Sequence, residues 1–583
     1  MTQPPSPLGL LQAGVASWLP HLQPDGTLHD PVFGCPTQYG TAYLGWCCAV
    51  LGTTAGVPDG QAHRDRAVRL LTAALAHTAD PEAPPHASSF DRRTLSVAGR
   101  LNHRDFTWPP ILKTWQALGG EAAGLTDAIA GVDPARSFRA RPPSNWAAVW
   151  LSGEWVRMRE GRSAIPVERL DDWLDVFFAG GEVGLDLDLG LYVERGLPNA
   201  YDLFTRVHLS DLLLEGWNGR NRPRLEAFLT TGLRRSLVMQ LSDGSLASGY
   251  RSAGQTWVLG AQLLLFTASR QLGLGTDADR AAARTAAWRA YRSLAGWQRP
   301  DDVFAPVQNL LPPALRVGYE AYTADGHYAP LALAFLASAV RAGFGADARP
   351  SDDELDARPT AAMAEGAPTH RGAAHRGRVS VAVQALADPT YDASGLVDLT
   401  FGAGRRLVFV GAARHLAGGP QLVLGLAVRD EPGAAPVTAL CALPRELAQP
   451  LRVDSGGLAF AATLTGDVLG GRTHHWSATL RGDGVDVVEA LDGWTGGRTL
   501  LIPYLRDLGD GLLTAVESHG NTVAFRRGAE GVAVRVEGTV ERAVDLPYGY
   551  ESRRGLCGLV RLDLAGTGET LRWSVTSLPD APD

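Results

Sequence analysis

Lysine is all but missing: Lys113 is the only one among 54 basic residues in a chain of 583. Schiff-base chemistry and a lysine general base therefore have one candidate in the whole protein. The arginine that replaces it suits carboxylate ligands through its planar fork, and it equally fits a composition bias without functional meaning. Cysteine is scarce as well. Cys35, Cys47, Cys48, Cys441 and Cys557 are odd in number and show neither CxxC spacing nor a Cys/His array, so neither a disulfide framework nor a zinc site is expected. Nowhere do the ~18 uninterrupted apolar residues of a membrane span occur. The opening MTQPPSPLGLLQAGVASWLPHL has no basic start, sustained apolar core or small-residue cleavage site, which makes the cytoplasm the expected location and export the alternative if a leader has been removed. No P-loop, HExxH, GxSxG elbow or strand-to-helix GxGxxG is present, and nucleotide chemistry is not indicated. The net charge of -8 also excludes general attraction to nucleic acid or an anionic membrane.

What is present is ordinary globular material, 45% hydrophobic and 20% charged, in a chain too long for one core. Two large domains are expected. From residue 8 to about 345 apolar residues recur at helical spacing, as in Ala67 to His77, Pro110 to Leu118, Trp146 to Arg159, Val167 to Phe178 and Leu203 to Trp217. Further stretches run from Leu225 to Gln240, Thr256 to Leu272, Ala281 to Trp297 and Tyr328 to Ala342. At least nine helices and no convincing strand follow, paired by short loops as in a helix-hairpin bundle, solenoid or closed toroid. Residues 346–376 are rich in Ala, Pro, Asp and Gly and read as a linker. Beyond it the period becomes two, in RVSVAVQAL, LVDLTF, RRLVFVGAA, QLVLGLAVR and at least six later runs, so residues 377–583 are expected to form an antiparallel β-sandwich. The fold class is thus α then β, with the helical domain at 1–345.

Polar and aromatic residues break the helical pattern in loops that a hairpin array gathers at one end, where a cleft forms. LNHRDFTWPP offers His103 and Trp108, with capping and turn roles for Asn102 and Asp105 as the plain alternative. RPPSNWAAVWLSGEW offers Asn145 and Trp146: an amide to bind a carboxylate and an indole to stack on a sugar, unless Ser144 or Asn145 is simply the helix cap. LDLDLGLYVERGLPNAYDLFTRVHLSDLL brings Glu194, Tyr201, Arg206 and His208, with core roles for Tyr201 and His208 as the alternative. Tyr250 and Arg251, then His327 and Tyr328, stand at two further helix starts that favour anions.

The motifs SNWAAVWLSGEW, LYVERGLPNAYDLFTR and RTHHWSATLRGDGVDVVEALDG resemble those of the heparinase II/III-like and alginate-lyase-like polysaccharide lyases, and the α-then-β order resembles their architecture over nearly the whole chain. The resemblance implies an (α/α) toroid followed by a β-sandwich and β-elimination on a uronate-containing oligosaccharide or polysaccharide. It implies that Asn145 neutralises the carboxylate, Tyr201 exchanges protons, and His474 or His475 assists. No cofactor is expected, although a charge-neutralising divalent metal stays open, and neither nucleic acid nor membrane is an expected partner. Two other readings remain. A glycoside hydrolase would need paired carboxyl groups, for which Asp105, Glu154, Asp186, Asp188, Glu194 and Asp202 are candidates. A carbohydrate-binding protein without catalysis would use the 15 tryptophans for stacking.

Overall fold

The structure is a computed structural model that describes residues 4–194, 199–247, 251–364, 370–387, 393–402, 422–430, 437–454 and 456–579. Its contacts divide into two units. One comprises Met1–Arg234, Gln255–Pro306 and Pro313–Pro350; the other comprises Arg235–Gly254, Val307–Pro312 and Ser351–Asp583.

The first unit is helical. Its elements are α1 (Pro7–Trp18), α2 (Gly40–Thr53), α3 (Gly60–Ala79), α4 (Arg104–Leu118), the short α5 (Thr126–Ala130) and α6 (Pro134–Ser137), α7 (Asn145–Arg159) and α8 (Glu168–Phe178). They continue with α9 (Asn199–Leu214), α10 (Arg222–Met239), α11 (Trp257–Gln271), α12 (Asp277–Ala295) and α13 (Asp325–Arg341). Six of them close a ring: α2 packs on α4, α4 on α7, α7 on α9, α9 on α11, α11 on α13, and α13 back on α2. The sequence explains which helices line the ring. Gly40 to Gly52 of α2 and Trp257 to Ser269 of α11 are buried without interruption, as befits helices apolar all round. By contrast α12 leaves most of its first two turns at least partly exposed, buries Ala286 to Tyr291 in its middle, and packs on α11. Close approach of α4 and α7 depends on Gly153, where a Cβ would lie 2.9 Å from the Pro109 nitrogen.

The helical unit also holds two small hairpins, Ser89–Asp91 with Ser96–Gly99 and Gly184–Asp186 with Leu191–Val193, where no strand is expected from the sequence. Three-residue strands are too short to display a period of two.

The second unit contains antiparallel sheets of eight, five and four strands. In sheet order the largest runs Arg445–Val453, Gly457–Leu464, Thr473–Leu480, Gly484–Leu491, Thr570–Ser577, Glu530–Val536, Thr522–Arg527 and Ala515–His519. Its inner face buries Phe460, Trp476, Val487 and Trp573 together with Val381 and Leu399 of the four-stranded sheet and Leu500 and Ile502 of the five-stranded one. The stretch 346–376, which reads as linker, carries a short helix at Asp352–Asp356 and the paired strands Arg358–Ala364 and Arg371–Gly377. Ala and Gly make these strands poor in large apolar residues, yet Arg371 to His375 are all buried, so size and not exposure hid them. The expected strand RRLVFVGAA lies outside the described residues.

Candidate active site

The site is built around the start of α7. Asp105, wholly buried in the first turn of α4, accepts the backbone N–H groups of Arg139 at 3.1 Å and Ala140 at 2.8 Å. Burial pushes its carboxyl up to about 6 despite those donors. Two residues on, the carbonyl of Arg141 accepts both the N–H of Ser144, at 3.0 Å, and its hydroxyl, at 2.7 Å. Ser144 is therefore the N-cap by backbone conformation, but its side chain turns back into the loop and caps nothing. Asn145 is the first helical residue, 7% exposed, and its side-chain amide has no hydrogen-bond partner among the described residues. The amide itself keeps contact with solvent, so it is open to a ligand.

The next residue, Trp146, belongs to an aromatic wall. The His103 ring meets Trp146 edge-on at 4.4 Å and lies nearly parallel to Tyr39 at 6.4 Å, with Nδ1 3.4 Å from the Tyr39 hydroxyl. Phe106 packs on both Trp146 and Phe204, and Tyr39 continues the wall to Tyr328. Burial, then the charges of His327 and Arg139, hold the His103 imidazole down at about 3, so it is neutral near neutral pH. Tyr201 is half-buried in the first turn of α9. It lies near enough to Tyr39 that, after burial and the Tyr43 phenol, it contributes to raising the Tyr39 phenol well above 10.

Other residues that the sequence offers to substrate are committed to the fold. Trp108 is fully buried, and its indole N–H donates to Glu154 at 2.9 Å; it stacks on nothing from solvent. Glu154 is also paired with Arg157 at 2.7 Å. Arg206, 2% exposed, grips Asp202 through Nε at 2.9 Å, and the same carboxylate accepts the Tyr192 N–H at 2.7 Å. Such an arginine has no open face for a carboxylate ligand. His208 lies in the ring interior against Phe204 and Phe335, with Ser152 Oγ 3.3 Å from Nδ1. His327 has one ring nitrogen 2.8 Å from the Tyr322 carbonyl and the other 2.8 Å from that of Ala87, so it ties loops together. Tyr328 is 8% exposed and packs on Trp257 and Tyr322. Glu194 is half-buried just past the second hairpin. Asn102 does form a turn, accepting the Arg104 N–H at 3.0 Å. Asp186 likewise accepts the Leu189 N–H in a turn, at 2.8 Å.

Tyr250 lies outside the described residues, and Arg251 belongs to the sheet-bearing unit. In that unit strand alternation separates the two histidines. His474 is 2% exposed, with Nε2 3.1 Å from Glu489 and Nδ1 3.1 Å from Arg445. Glu489 also accepts the Trp573 indole N–H at 2.9 Å, so His474 sits in a closed polar network inside the sandwich. His475 faces outward and pairs with Asp492 at 3.0 Å. Among the described residues no cluster of His, Cys, Asp or Glu is arranged to hold a metal ion, and no helix is long and apolar enough to cross a membrane.

Tyr39, Arg139 and Arg141 were not legible as site residues. Tyr39 precedes a helix without amphipathic stripe, and only the arginines' proximity to Asn145 in FRARPPSNW could have marked them.

A scan against protein-family models and a search of curated proteins both return no match. Among solved structures, the chain resembles the Streptomyces coelicolor A3 chondroitin AC lyase in complex with chondroitin sulphate at TM-score 0.50 and 14% identity, over 98% of this chain and 78% of that one. A Paenibacillus xanthan lyase matches at TM-score 0.49 and 10% identity, over 99% of this chain and 57% of that one. A Bacteroides vulgatus family 88 glycosyl hydrolase matches at TM-score 0.39 and 11% identity, over 57% of this chain and 98% of that one. The first likeness is one of fold: a helical toroid followed by an antiparallel β-sandwich.

Proposed function

We propose that the protein is a lyase that cleaves a uronate-containing oligosaccharide or polysaccharide by β-elimination. The observation that carries this reading is the Asn145 amide, without a partner among the described residues and still open to solvent, on the residue before Trp146 of the Trp146–His103–Tyr39 wall. An amide donor offsets the charge of a uronate carboxylate, and only then does the neighbouring C5 proton become acidic enough to remove. The indole of Trp146 supplies a face for the sugar ring. Tyr201 takes the C5 proton as phenolate, the electron pair forms the C4–C5 double bond, the C4–O4 bond breaks, and the phenol returns its proton to the leaving oxygen. His103, neutral and braced by Tyr39, supplies the histidine of this reading from the helical unit itself.

Elimination is favoured over hydrolysis because three of the six carboxylates offered for a hydrolase, Asp105, Glu154 and Asp202, are engaged within the fold, which leaves Asp186, Asp188 and Glu194. Asp105 clamps a loop, while Glu154 and Asp202 are saturated by arginine.

The test is to incubate the protein with a panel of uronate oligosaccharides and follow the ultraviolet absorbance of the unsaturated product together with reducing ends. The two should rise in step. Reducing ends without that absorbance would identify a hydrolase, and neither signal across the panel would leave binding without catalysis.

A further inference from the structure

The loop that delivers Asn145 has two faces. Phe138 and Ala140 point inward, 4% and 1% exposed, while Arg139 and Arg141 between and after them are exposed. Among the described residues neither arginine has a carboxylate partner. This is unlike Arg157, Arg159, Arg206, Arg220, Arg222 and Arg234 of the same unit, which all pair with Asp or Glu. Arg162 and Arg169 are also exposed without a carboxylate partner, so what marks Arg139 and Arg141 is their place on the loop leading into Asn145, where the Arg141 guanidinium donates to the Ala140 carbonyl at 2.6 Å and its charge reaches the buried Asp105 carboxyl.

They are also held in place. Asp105 fixes the backbone of Arg139 and Ala140 from beneath, and the Arg141 carbonyl is locked by both donors of Ser144, the residue before Asn145. Phe138 anchors the other end against Trp108, with ring centroids 5.1 Å apart. The two guanidinium stems therefore project from a rigid loop whose next element begins with the partnerless amide. The Arg139 charge adds to burial and to His327 in holding the His103 imidazole below its ordinary value. A guanidinium fork binds carboxylate and sulfate oxygens in pairs, and a pre-organised loop lowers the ordering cost of doing so.

We infer that Arg139 and Arg141 form an anion subsite that binds a second anionic group of the glycan, a sulfate ester or another carboxylate, next to the uronate held at Asn145. The inference rests on the lyase reading for its glycan. It narrows the substrate to one that carries closely spaced negative charge, and it assigns discrimination among uronate glycans to residues outside the proton-transfer step.

The experiment measures binding in a Tyr201→Phe background, so that turnover is not needed. Three tetrasaccharides serve as probes: an O-sulfated chondroitin tetrasaccharide, its unsulfated counterpart, and a tetraguluronate with a carboxylate on every sugar. Arg139→Gln/Arg141→Gln is compared with Arg162→Gln/Arg169→Gln, which removes the same charge from exposed positions elsewhere on the helical unit. The subsite predicts that the first pair raises Kd about tenfold for the sulfated probe, the tetraguluronate or both, with a smaller effect on the unsulfated chondroitin probe. Which probe responds distinguishes sulfate from carboxylate. The control pair should leave every Kd near its starting value. Equal weakening of all three probes, equal effects of the two pairs, or no effect at all would overturn the subsite. Selective loss of binding alongside a wild-type protein that makes no unsaturated product would keep the subsite and remove the elimination reading.

Discussion

The indole N–H of Trp108 donates to Oε2 of Glu154 at 2.9 Å, deep in the contact between α4 and α7. The same carboxylate compensates Arg157, whose guanidinium reaches the carbonyls of Ile129 and Val132 as well. Through Arg157, this buried acid joins two ring helices to α5 and the residues just after it. Replacing it with alanine strands the arginine charge, and Glu154→Ala is expected to lose about 3–5 kcal/mol in urea unfolding. Trp108→Phe, which removes one hydrogen bond to a charged group, should lose about 1–3 kcal/mol. A Glu154→Ala variant of unchanged stability would return this carboxylate to the list of catalytic candidates.

Arg206 and Asp202 make a second closed pair, one turn apart on α9. Arg206→Met should destabilise the protein by about 3–5 kcal/mol through the carboxylate left behind, yet leave KM for a uronate oligosaccharide unchanged in the folded fraction. A raised KM without loss of stability would show that Arg206 meets substrate after all.

The buried histidines give stability a defined pH dependence. His208 is held at about 3, first by burial and then by the Lys113 charge, against 6.5 in an unfolded chain. Because the folded value is depressed, the unfolded state takes up the proton first. Its contribution is complete above the unfolded value and is lost as pH falls below 6.5 toward about 3. For His208 alone the loss between about pH 7.5 and about pH 5 amounts to about 2 kcal/mol. Urea unfolding of wild type and His208→Leu at those two pH values should differ by that amount in their pH dependence. Parallel behaviour would show that the imidazole is not desolvated.

Lys113, the sole lysine, pairs with Asp211 inside the helical ring and lies 5.7 Å from the centre of the Trp46 ring. The cavity beside it, also lined by Tyr43 and His208, measures about 20 Å³, room for one water-sized guest and no guanidinium. Lys113→Arg should therefore cost about 1–3 kcal/mol by overpacking, despite the conserved charge. A neutral outcome in thermal unfolding would mean that the lysine survives there by chance.

Long amphipathic helices and alternating strands were legible because each buries one face, and the two-part architecture follows from them. The innermost helix α2 was not. Its segment GTAYLGWCCAVLGT is apolar on all sides and carries three glycines and two cysteines, whereas the equally buried α11 is marked by its run of leucines and was read. The site divides in the same way. Asn145, Trp146, His103 and Tyr201 sit at loop-to-helix junctions, where polar groups interrupt an apolar pattern. Trp108, Arg206, His208, His327 and His474 looked equivalent in sequence, and only their three-dimensional partners show them to be internal. Hydrogen bonds between residues tens of positions apart leave no local signature.

The most direct test is pre-steady-state formation of the unsaturated uronate by folded Asn145→Ala and Tyr201→Phe proteins, with circular dichroism and unfolding midpoints as controls. Asn145→Ala should lower the chemical rate about 10²–10³-fold, the loss seen when a single charge-stabilising donor is removed, and Tyr201→Phe should give no product. Product formation at the wild-type rate by either folded variant would contradict the assignment of Asn145 to the carboxylate or of Tyr201 to the proton.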